Sequence, residues 1–487
     1  MPVPPALHGG LTGATTTAVM ANPTAPQSRR PQILTIPVET LNREFDAKLH
    51  LALRAAGRGW RVIFGGRTAI HQNLPRIPQS IYLSKGVRTG NRRILRLLEQ
   101  LGHVIVALDE ESLIRQSDEA HLMMLDAETF NRPRLLFAWG ENNAEVWRRF
   151  EGYRGAPILP VGNPRMDLLR PELREFYRPA ADAIRQRYGD FILLSSNFSL
   201  VNHYISDYVR FRTSESADPR RRDELKDGLL AHKRAVFDAF KLMVPELARA
   251  IAPATLVIRP HPSENANTWE AAAQGLPNVH VVHEGPIAPW LLAARGLAQN
   301  GCTSAIEAAI IGTPALAFHP VYSDQFEVEI SDAVSSGCRT VEQVVSTARN
   351  FLSRQDRGAS VLTAEQFRIL KHHIASVDGP LSCERILNAL DEHADRLSPD
   401  STSLRRIAGL WGHYKRQASR AVTTRLPASP SNARYTAHKF PGITPDMMER
   451  SLGGLLPLIL QSGGKPDVVQ LAPNIFRIEN PNTSVEQ

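Results

Sequence analysis

Several kinds of site that enzymes often carry are missing from this chain of 487 residues. It has three cysteines, Cys302, Cys338 and Cys383, and no CxxC pair, so we expect neither a disulfide framework nor a cysteine-bound zinc ion. It also lacks a GxxxxGK[ST] phosphate loop, GxGxxG, a GxSxG elbow and HExxH. No clean DxD motif follows a predicted strand, and we therefore expect no obligatory metal ion and no cofactor.

Long apolar runs are also missing. No window approaches the roughly 18 consecutive apolar residues that a membrane-spanning helix needs. Residues 1–31 lack the basic start and apolar block of a secretory signal, and we expect them to form a disordered tail. These features predict a cytoplasmic protein, at most peripheral to the inner membrane.

The charge balance is positive but gives little specificity. Lys and Arg number 57 and Asp and Glu 49, which gives a formal net charge of +8. Such a charge favours anionic partners without choosing among phosphorylated ligands, nucleic acid and anionic membranes. No recognisable nucleic-acid-binding module is present, and we expect no nucleic-acid partner.

Short apolar runs alternate with helical segments twice, in residues 32–170 and again in 191–398. Buried apolar strands separated by helices indicate parallel sheets that are covered on both faces. The sequence therefore predicts an α/β protein with two Rossmann-like domains facing a cleft and a linker at 171–190. After residue 398 the composition becomes basic and then rich in Pro and Gly, and we expect residues 399–487 to be a C-terminal extension of uncertain order.

The segment TLVIRPHPSE, residues 255–264, ends a predicted strand with an arginine and a histidine beside two prolines. Because Pro260 and Pro262 fix the backbone on each side, the imidazole of His261 is aimed in one direction. It could give a hydrogen bond or a proton to a phosphate leaving group, with Arg259 as a fixed positive charge. A rigid turn with a solvated histidine explains the segment equally well.

A second strand end is AQNGCTSAIEAAIIGTP, residues 298–314. A helix that begins at Thr303 or Ser304 would present backbone N–H groups and a positive dipole end to an anion. Ser304 and Glu307 also have the spacing of a capping box, which stabilises a helix by around 1 kcal/mol without any ligand. The functional alternative places Thr303 and Ser304 on a phosphate and Glu307 on the hydroxyls of a ribose, and both alternatives stay open.

Weaker signals lie at two other strand ends of the chain. Ser195 and Asn197, in ILLSSNFS, suit a phosphate or a sugar but are also ordinary loop residues. Arg165, in VGNPRMD, falls at the domain junction, where a hinge with an internal salt bridge explains it nearly as well.

The first domain contributes charged candidates of its own. HVIVALDEES places Asp109, Glu110 and Glu111 beyond a strand end, where a partly buried carboxylate would have the raised pKa that suits a general base. Alternatively, the three carboxylates begin a helix whose dipole favours them. Arg67 and Lys85 could also face the cleft.

The extension contains a basic amphipathic pattern over residues 403–422. Apolar residues recur there at helical spacing, namely Leu404, Ile407, Trp411, Tyr414, Ala418 and Val422. Basic residues cluster on another face, namely Arg405, Arg406, Arg416 and Arg420. This pattern is typical of a helix at an anionic membrane surface. The alternative, which we prefer, is a last helix that packs its apolar residues on the protein.

In order along the chain, LDEES, GNPRMDLLR, ILLSSNF, IRPHPSE and NGCTSAIEAAIIGTPALAF resemble the bacterial surface carbohydrate biosynthesis protein family. More distantly, they are similar to the nucleotide-binding halves of CDP-glycerol glycerophosphotransferases, CMP-sugar transferases and UDP-N-acetylglucosamine 2-epimerases. The resemblance covers residues 32–390 and implies a GT-B fold with the nucleotide held by the second domain. It implies His261 on the donor phosphate, and Thr303, Ser304 and Glu307 on phosphate and ribose. The chain departs from the family at Gln299, where a histidine is common.

The resemblance implies a metal-independent, glycosyltransferase-like enzyme of surface polysaccharide biosynthesis, for capsule or lipopolysaccharide. It would move a sugar or polyol phosphate from a nucleotide-activated donor to a glycan or lipid-linked glycan acceptor. Two alternatives stay open. One is a sugar-nucleotide epimerase or hydrolase on the same fold, and the other is a non-catalytic nucleotide-binding component of a polysaccharide assembly complex.

Overall fold

The computed structural model describes residues 32–115, 117–204, 219–356, 362–398, 402–423, 440–459 and 465–481, with only the backbone for 219–226 and 422–423. The tail expected at residues 1–31 lies outside the described residues.

The first parallel sheet is built from the apolar runs of the N-terminal third of the chain. Its strands are β1 (Ile33–Val38), β2 (Arg61–Gly66), β3 (Ile81–Ser84), β4 (Val104–Leu108), β5 (Leu135–Ala138) and β6 (Ile158–Pro160). The helices between and after them are α1 (Leu41–Gly57), α2 (Arg67–Gln72), α3 (Arg92–Gln100), α4 (Asp118–Leu122), α5 (Ala127–Phe130), α6 (Glu141–Arg148) and α7 (Pro164–Asp167). The spatial order is β2-β1-β3-β4-β5-β6, so the strand order reverses between β1 and β3.

The second parallel sheet repeats this plan in the second apolar series. Its strands are β7 (Phe191–Ser195), β8 (Thr255–Arg259), β9 (Val279–Val281), β10 (Gly296–Gln299), β11 (Ala315–Phe318) and β12 (Ser336–Cys338). Its helices are α8 (Arg178–Tyr188), α9 (Pro219–Ile251), α10 (Asn267–Ala272), α11 (Ile287–Ala293), α12 (Thr303–Ile311), α13 (Glu329–Ala333), α14 (Val341–Ser353) and α15 (Ala364–His373). The order β12-β11-β10-β7-β8-β9 reverses between β7 and β10.

The remaining elements return to the first domain. They are α16 (Ser382–Glu392), α17 (Ser403–Thr423), α18 (Pro445–Ile459), β13 (Asp467–Ala472) and β14 (Ile475–Glu479). Helices α16 and α18 contact α1, and α17 contacts α3. Strand β14 pairs antiparallel with β2, which extends the first sheet to eight strands in the order β13-β14-β2-β1-β3-β4-β5-β6.

The two parallel sheets confirm the predicted fold class, an α/β protein of GT-B type with two Rossmann-like domains. The chain passes from one hydrophobic core to the other at residues that differ from the domain boundaries suggested by the sequence. Helix α8, within the expected linker at 171–190, packs on α11, and its Tyr188 lies 5.5 Å, between ring centroids, from Trp290 in the second core. Helix α16, expected in the second domain, contributes Leu387 and Leu390 to the first core. An amphipathic pattern shows that a helix has an apolar face, but it does not show which core receives that face.

The domains meet closely at the carboxyl edges of both sheets. Arg165 of α7 forms an ion pair with Glu307 of α12 across the junction. Gly140, just before α6, lies so close to α15 that a Cβ atom there would come 2.4 Å from the carbonyl carbon of His373. Within the described part of the chain, no helix combines the length and apolar character that a membrane crossing requires.

Candidate functional site

The strand order of the second sheet reverses where the ends of β7 and β10 lie side by side. Two asparagines join these ends, since the backbone N–H of Asn197 donates to Oδ1 of Asn300 at 3.0 Å. The side-chain amide of Asn197 donates to the carbonyl of Gly301 at 3.1 Å. In open parallel sheets, ligands bind outside the carboxyl ends of the strands at such a switch point. Ser195, at the end of β7, lies at this point with its Oγ 4.0 Å from the sulfur of Cys302.

Gln299, where the family that the sequence resembles commonly has a histidine, shapes the turn before α12. Its Oε1 accepts from the backbone N–H groups of Gly301 at 2.6 Å and Cys302 at 2.9 Å. Gly301 has φ of +75°, a left-handed conformation that favours glycine. The glutamine side chain therefore holds the loop that delivers the first turn of α12.

The N-terminus of α12 has no side-chain cap. Cys302 is its N-cap residue, and neither Ser304 nor Glu307 forms the expected capping box. The buried Oγ of Ser304 has no hydrogen-bond partner within the described residues. The amides of Thr303 and Ser304 likewise have no acceptor there. The capping interpretation is therefore wrong, because Glu307 turns away from the helix start towards Arg165.

Arg165 and Glu307 form a buried ion pair between the two domains. Their side chains are only 9% and 5% exposed. Nη1 of Arg165 is also buried and makes no hydrogen bond among the described residues. A ribose that bound Glu307 would have to displace Arg165 or share the carboxylate with it.

His261 lies just beyond β8, beside the switch point, and its ring orientation is fixed. The backbone N–H of Ser263 donates to Nδ1 of His261 at 3.2 Å. Because Nδ1 accepts this hydrogen bond, the proton of the neutral ring lies on Nε2. Nε2 is therefore the ring nitrogen that carries the proton.

Glu264, three residues after His261, anchors this loop and was not recognised in the sequence. The carboxylate is buried and accepts from five residues, namely Ser196, Phe198, Asn202, His261 and Trp269. Two of these donors are the backbone N–H groups of Phe198, at 2.7 Å, and His261, at 3.3 Å. Burial raises the pKa of Glu264 although the hydrogen bonds act in the opposite direction. Glu264 thus joins the ends of β7 and β8 into one rigid unit.

The side chain of Arg259 makes its contacts within the second domain. Its guanidinium donates to the carbonyls of Glu284 at 2.5 Å and Gly285 at 2.9 Å, and it lies 4.8 Å from the ring centroid of Trp290. Burial lowers the pKa of Arg259 to about 10. These contacts fix the loop between β9 and α11. The guanidinium therefore faces backbone carbonyls and not a phosphate, which is the ligand that the sequence suggested.

In the first domain, Glu110 belongs to a buried charge cluster at the carboxyl edge of the sheet. Lys48 lies 3.4 Å from Glu110 and 2.8 Å from Glu44, and Asn163 donates to Glu110 at 3.2 Å. Burial acts to raise the pKa of Glu44, but Lys48 and backbone hydrogen bonds lower it to about 2. Lys48 and Asn163 thus hold Glu110 out of contact with solvent.

Asp109 and Glu111 differ in their exposure to solvent. Asp109 is 1% exposed and accepts from the N–H of Glu111 through Oδ1, while its buried Oδ2 makes no hydrogen bond among the described residues. The side chain of Glu111 is 49% exposed and lies 3.3 Å from Arg43. Burial acts to raise the pKa of Glu111, but Arg43, Lys85 and Arg88 outweigh it and lower the pKa. The raised pKa that the sequence suggested for a partly buried carboxylate is therefore wrong for Glu111, because arginines and a lysine surround it.

Arg67 and Lys85 lie together at the switch point of the first sheet. Both form ion pairs with Glu39, at the end of β1, and Arg67 also donates to Asn91 at 3.1 Å. Burial acts to raise the pKa of Glu39, but Lys85 and Arg67 outweigh it and lower the pKa. The two cations thus stand at the carboxyl edge of the first sheet, and both are paired with the carboxylate of Glu39.

Asp167, two residues after Arg165, has a structural role in the first core. Its oxygens accept from the N–H groups of Ser382, at 2.7 Å, and Cys383, at 2.9 Å, at the start of α16. Burial raises the pKa of Asp167 from 3.8 to about 6. His50 lies beside it, with Nδ1 3.4 Å from the sulfur of Cys383. This trio could offer three ligand atoms to a metal, but it is closed inside the core.

Helix α17 carries four exposed large apolar side chains on one face, which we name the apolar stripe: Leu404, Ile407, Trp411 and Tyr414. They are 63–80% exposed. The opposite face rests on α3, where Gly409 lies within reach of Leu101. The packing that we preferred for this helix is therefore wrong, because Gly409, Leu410 and His413 contact the protein while the apolar stripe does not. Val422 lies among the side chains that are not described.

No protein-family model and no curated protein matches this chain. Solved structures similar to it include the wall teichoic acid polymerase TagF, with TM-score 0.43 and 11% identity over 76% of this chain and 90% of that one. A putative UDP-N-acetylglucosamine 2-epimerase from Listeria monocytogenes gives TM-score 0.47 and 14% identity over 77% and 99%. The UDP-GlcNAc 2-epimerase of Methanocaldococcus jannaschii gives 0.46 and 14% over 74% and 100%.

Enzymes of two classes that the sequence motifs resemble are thus among the solved structures similar to this chain. Identities of 14% or less with TM-scores below 0.5 carry no argument about reaction or ligand. The assignments that follow therefore depend on this chain's own residues.

Proposed function

We propose that this chain is a glycosyltransferase-like enzyme that transfers a sugar or polyol phosphate from a nucleotide-activated donor to a glycan or lipid-linked glycan acceptor. The observation that carries the proposal is the switch point of the second sheet. The oriented Nε2 of His261 and the uncapped N-terminus of α12 stand there on either side of the end of β7. Neighbouring strands are spaced about 4.8 Å apart, so β8 and β10 are about 10 Å apart, a span suited to a nucleotide phosphate group.

The second domain would hold the donor. The amides of Thr303 and Ser304 and the positive end of α12 would bind a phosphate, and Nε2 of His261 would donate a hydrogen bond or a proton to the departing phosphate. Glu307 would accept from the ribose hydroxyls, and Arg165 would move onto the phosphate as the cleft opens for the donor. Ser195 and Asn197 complete the floor of this site.

The first domain would present the acceptor. Glu111 is the one of the three predicted carboxylates that an acceptor can reach, because Asp109 and Glu110 are 1% and 4% exposed. Its lowered pKa keeps the carboxylate ionised at neutral pH but makes it a weak base. A weak base suits a reaction in which departure of the phosphate precedes attack by the hydroxyl.

Nucleotide binding tests the donor site directly. Thermal unfolding would be measured with CMP, CDP, UDP and GDP, because a ligand at about 100 times its Kd stabilises by about 2.7 kcal/mol. We expect one nucleotide to stand out, and His261→Gln to reduce its effect while His372→Gln, on the surface of α15, does not. If no nucleotide raises the unfolding temperature, the donor site is refuted.

The two alternatives give different results with the nucleotide-activated donor. Consumption of the donor without any acceptor would favour an epimerase or hydrolase. Tight nucleotide binding with every candidate donor left intact, and no effect of Glu111→Gln in cells, would favour a non-catalytic assembly component.

We also propose peripheral contact with an anionic membrane through α17. The side chains of the apolar stripe are 63–80% exposed, and residues 402–423 contain five Lys or Arg and no Asp or Glu. Apolar side chains beside basic ones match an anionic lipid surface in both respects. A lipid-linked acceptor would then be held near the cleft, since Arg420 of the same helix donates to Thr68 beside Arg67.

Vesicle binding tests this contact. Ile407→Ser with Trp411→Ser should reduce co-sedimentation with anionic vesicles at least tenfold and leave the unfolding temperature unchanged, because both side chains are exposed. The parent chain should bind zwitterionic vesicles more weakly than anionic ones, and high salt should weaken its binding to anionic vesicles. Equal sedimentation of parent and variant, or loss of a self-associated form instead of vesicle binding, would refute it.

A further inference from the structure

The C-terminal half of α17 carries two arginines, Arg416 and Arg420, on the side that rests on the first domain. Residues four apart in a helix lie on the same face, so these two side chains are neighbours. Nη2 of Arg420 donates to Oγ1 of Thr68 at 3.3 Å, and the side-chain amide of Gln417 donates to the carbonyl of Gln72 at 3.2 Å. This part of α17 therefore lies along α2, the helix that follows β2.

Arg67, the first residue of α2, brings a third guanidinium to this place. It directly precedes Thr68, the residue that Arg420 contacts. Nη1 of Arg67 lies 3.2 Å from Oε2 of Glu39, and Lys85 pairs with the same carboxylate. Three arginines and a lysine thus gather at the switch point of the first sheet, where ligands of parallel sheets bind.

Arg416 makes no ion pair and no hydrogen bond within the described part of the chain, although its side chain is half-buried. Residues 401–445, which contain α17 and the chain that follows it, include no Asp or Glu. The segment that carries Arg416 and Arg420 therefore supplies no carboxylate to balance them.

The positive groups also act on one another. Burial lowers the pKa of Arg416, and Arg67 and Arg420 lower it further. The buried ring of His71, on α2, has a pKa well below its usual range because burial and the same three arginines lower it. One ring thus lies near all three guanidinium groups. Like charges held together with little water are unfavourable, and an anion between them would remove that repulsion.

We propose that Arg67, Arg416 and Arg420 bind a diphosphate group that belongs to the lipid carrier of the acceptor. The proposal rests on the proposed function, in which the acceptor is a lipid-linked glycan. Guanidinium groups bind phosphate oxygens in pairs. Three positive charges match a diphosphate, in which each phosphate carries a negative charge, better than a headgroup with a single phosphodiester. Glu39 keeps Lys85 as its partner when Arg67 turns to the anion.

The position of this site fits a lipid-linked ligand on two sides. With 3.6 residues per turn, the apolar stripe falls on the opposite face of α17 from Arg416 and Arg420, where lipid would contact it. On the other side, Lys85 is one of the cations that outweigh burial and lower the pKa of Glu111, the proposed base. A diphosphate held by the arginines would therefore lie between the lipid surface and that base.

The test measures binding of the full chain to zwitterionic vesicles that contain a small fraction of a polyprenyl diphosphate. Vesicles with phosphatidylglycerol at the same total charge are the reference. We expect binding to be about tenfold tighter with the diphosphate, and Arg416→Gln with Arg420→Gln to abolish this preference. Arg405→Gln with Arg406→Gln is the matched control, because it removes the same charge from exposed positions of the same helix.

Competition with inorganic diphosphate distinguishes the sources of the anion. It should release the chain from the diphosphate vesicles, whereas inorganic phosphate at the same concentration should not. Binding of inorganic diphosphate without any preference for the lipid diphosphate would overturn the lipid assignment. A preference that survives in Arg416→Gln with Arg420→Gln, or that is lost equally in the control pair, would overturn the site.

His261→Gln separates this site from the proposed donor site. The variant should keep the preference for the lipid diphosphate, and its loss there would assign the anion to the second domain and overturn the proposal. A chain that binds no nucleotide refutes the donor site, and the vesicle comparison still decides this one. Removal of crowded charges should not lower the unfolding temperature. A larger fall in Arg416→Gln with Arg420→Gln than in the control pair would show that the two arginines only hold α17 in place, and the site would fail.

Discussion

Glu264→Gln should loosen the loop that orients His261. The expected loss of folding stability follows from the hydrogen bonds of the Glu264 carboxylate. Oε1 accepts from the N–H groups of Phe198 and His261, and Oε2 accepts from Nε1 of Trp269 at 2.9 Å. An amide has one oxygen, so its NH₂ group must face one of these two sets of donors. If the oxygen stays with the backbone groups, the indole N–H of Trp269 is left buried without an acceptor.

One orphaned buried donor costs about 1–3 kcal/mol. For a domain of this size, that corresponds to a fall in unfolding temperature of about 2–12 °C. The loss of a buried charge offsets part of the cost, since burial raises the pKa of Glu264. Calorimetric unfolding measures the effect, and Glu270→Gln, on an exposed neighbour in α10, is the matched control.

A double-mutant cycle isolates the contact. Trp269→Phe removes the donor, so in the double variant the glutamine amide has no orphaned N–H to face. We expect the double variant to be less destabilised than the sum of the single ones, by about 1–2 kcal/mol. Additive effects would show that the hydrogen bond between Glu264 and Trp269 contributes nothing, and the account of the loop would fail.

Three further predictions concern other parts of the fold. Because burial raises the pKa of Asp167 from 3.8 to about 6, this group stabilises the fold most at low pH, and about 1.4 kcal/mol is lost between pH 5 and 7.5. In urea unfolding at both pH values, the stability of the parent relative to Asp167→Asn should therefore fall by that amount as the pH rises, and a constant difference would refute it. Glu307→Gln should cost about 3–5 kcal/mol by leaving the Arg165 charge buried alone, and adding Arg165→Met should recover at least half in the same assay. Gly65→Ala should displace the terminal hairpin, because its Cβ would lie 2.1 Å from the carbonyl oxygen of Asn474; an unchanged far-ultraviolet spectrum and melting temperature would contradict this.

Much of the architecture could be predicted because parallel strands covered on both faces are nearly pure apolar runs. RVIFGG, TLVIR and PALAF give β2, β8 and β11 within a residue or two. The return of the C-terminal segments to the first domain could not be predicted. Strands β13 and β14 are short and form a hairpin, and only the pairing of β14 with β2 shows where this hairpin belongs.

The sequence indicates at which strand ends the candidate residues lie, but it does not give their contacts. His261 and the start of α12 follow from strand ends, which meet at one edge of any parallel sheet. The contact partners could not be predicted. A sequence does not show that Arg259 donates to the carbonyls of Glu284 and Gly285, or that Glu307 forms an ion pair with Arg165. Glu264 is the last residue of TLVIRPHPSE, and its carboxylate holds the loop together. The signal in the sequence is a glutamate five residues after the end of β8, followed five residues later by Trp269.

The last strand has a consequence for how this chain folds during synthesis. The sheet that starts at residue 33 keeps the edge of β2 open until residues 475–479 have left the ribosome, because β14 is the partner of that edge. An open edge of apolar residues can pair with another chain. The first domain to be synthesised is thus the last one to be completed. We expect the nascent chain to depend on chaperones that cover the edge of β2 during most of its translation.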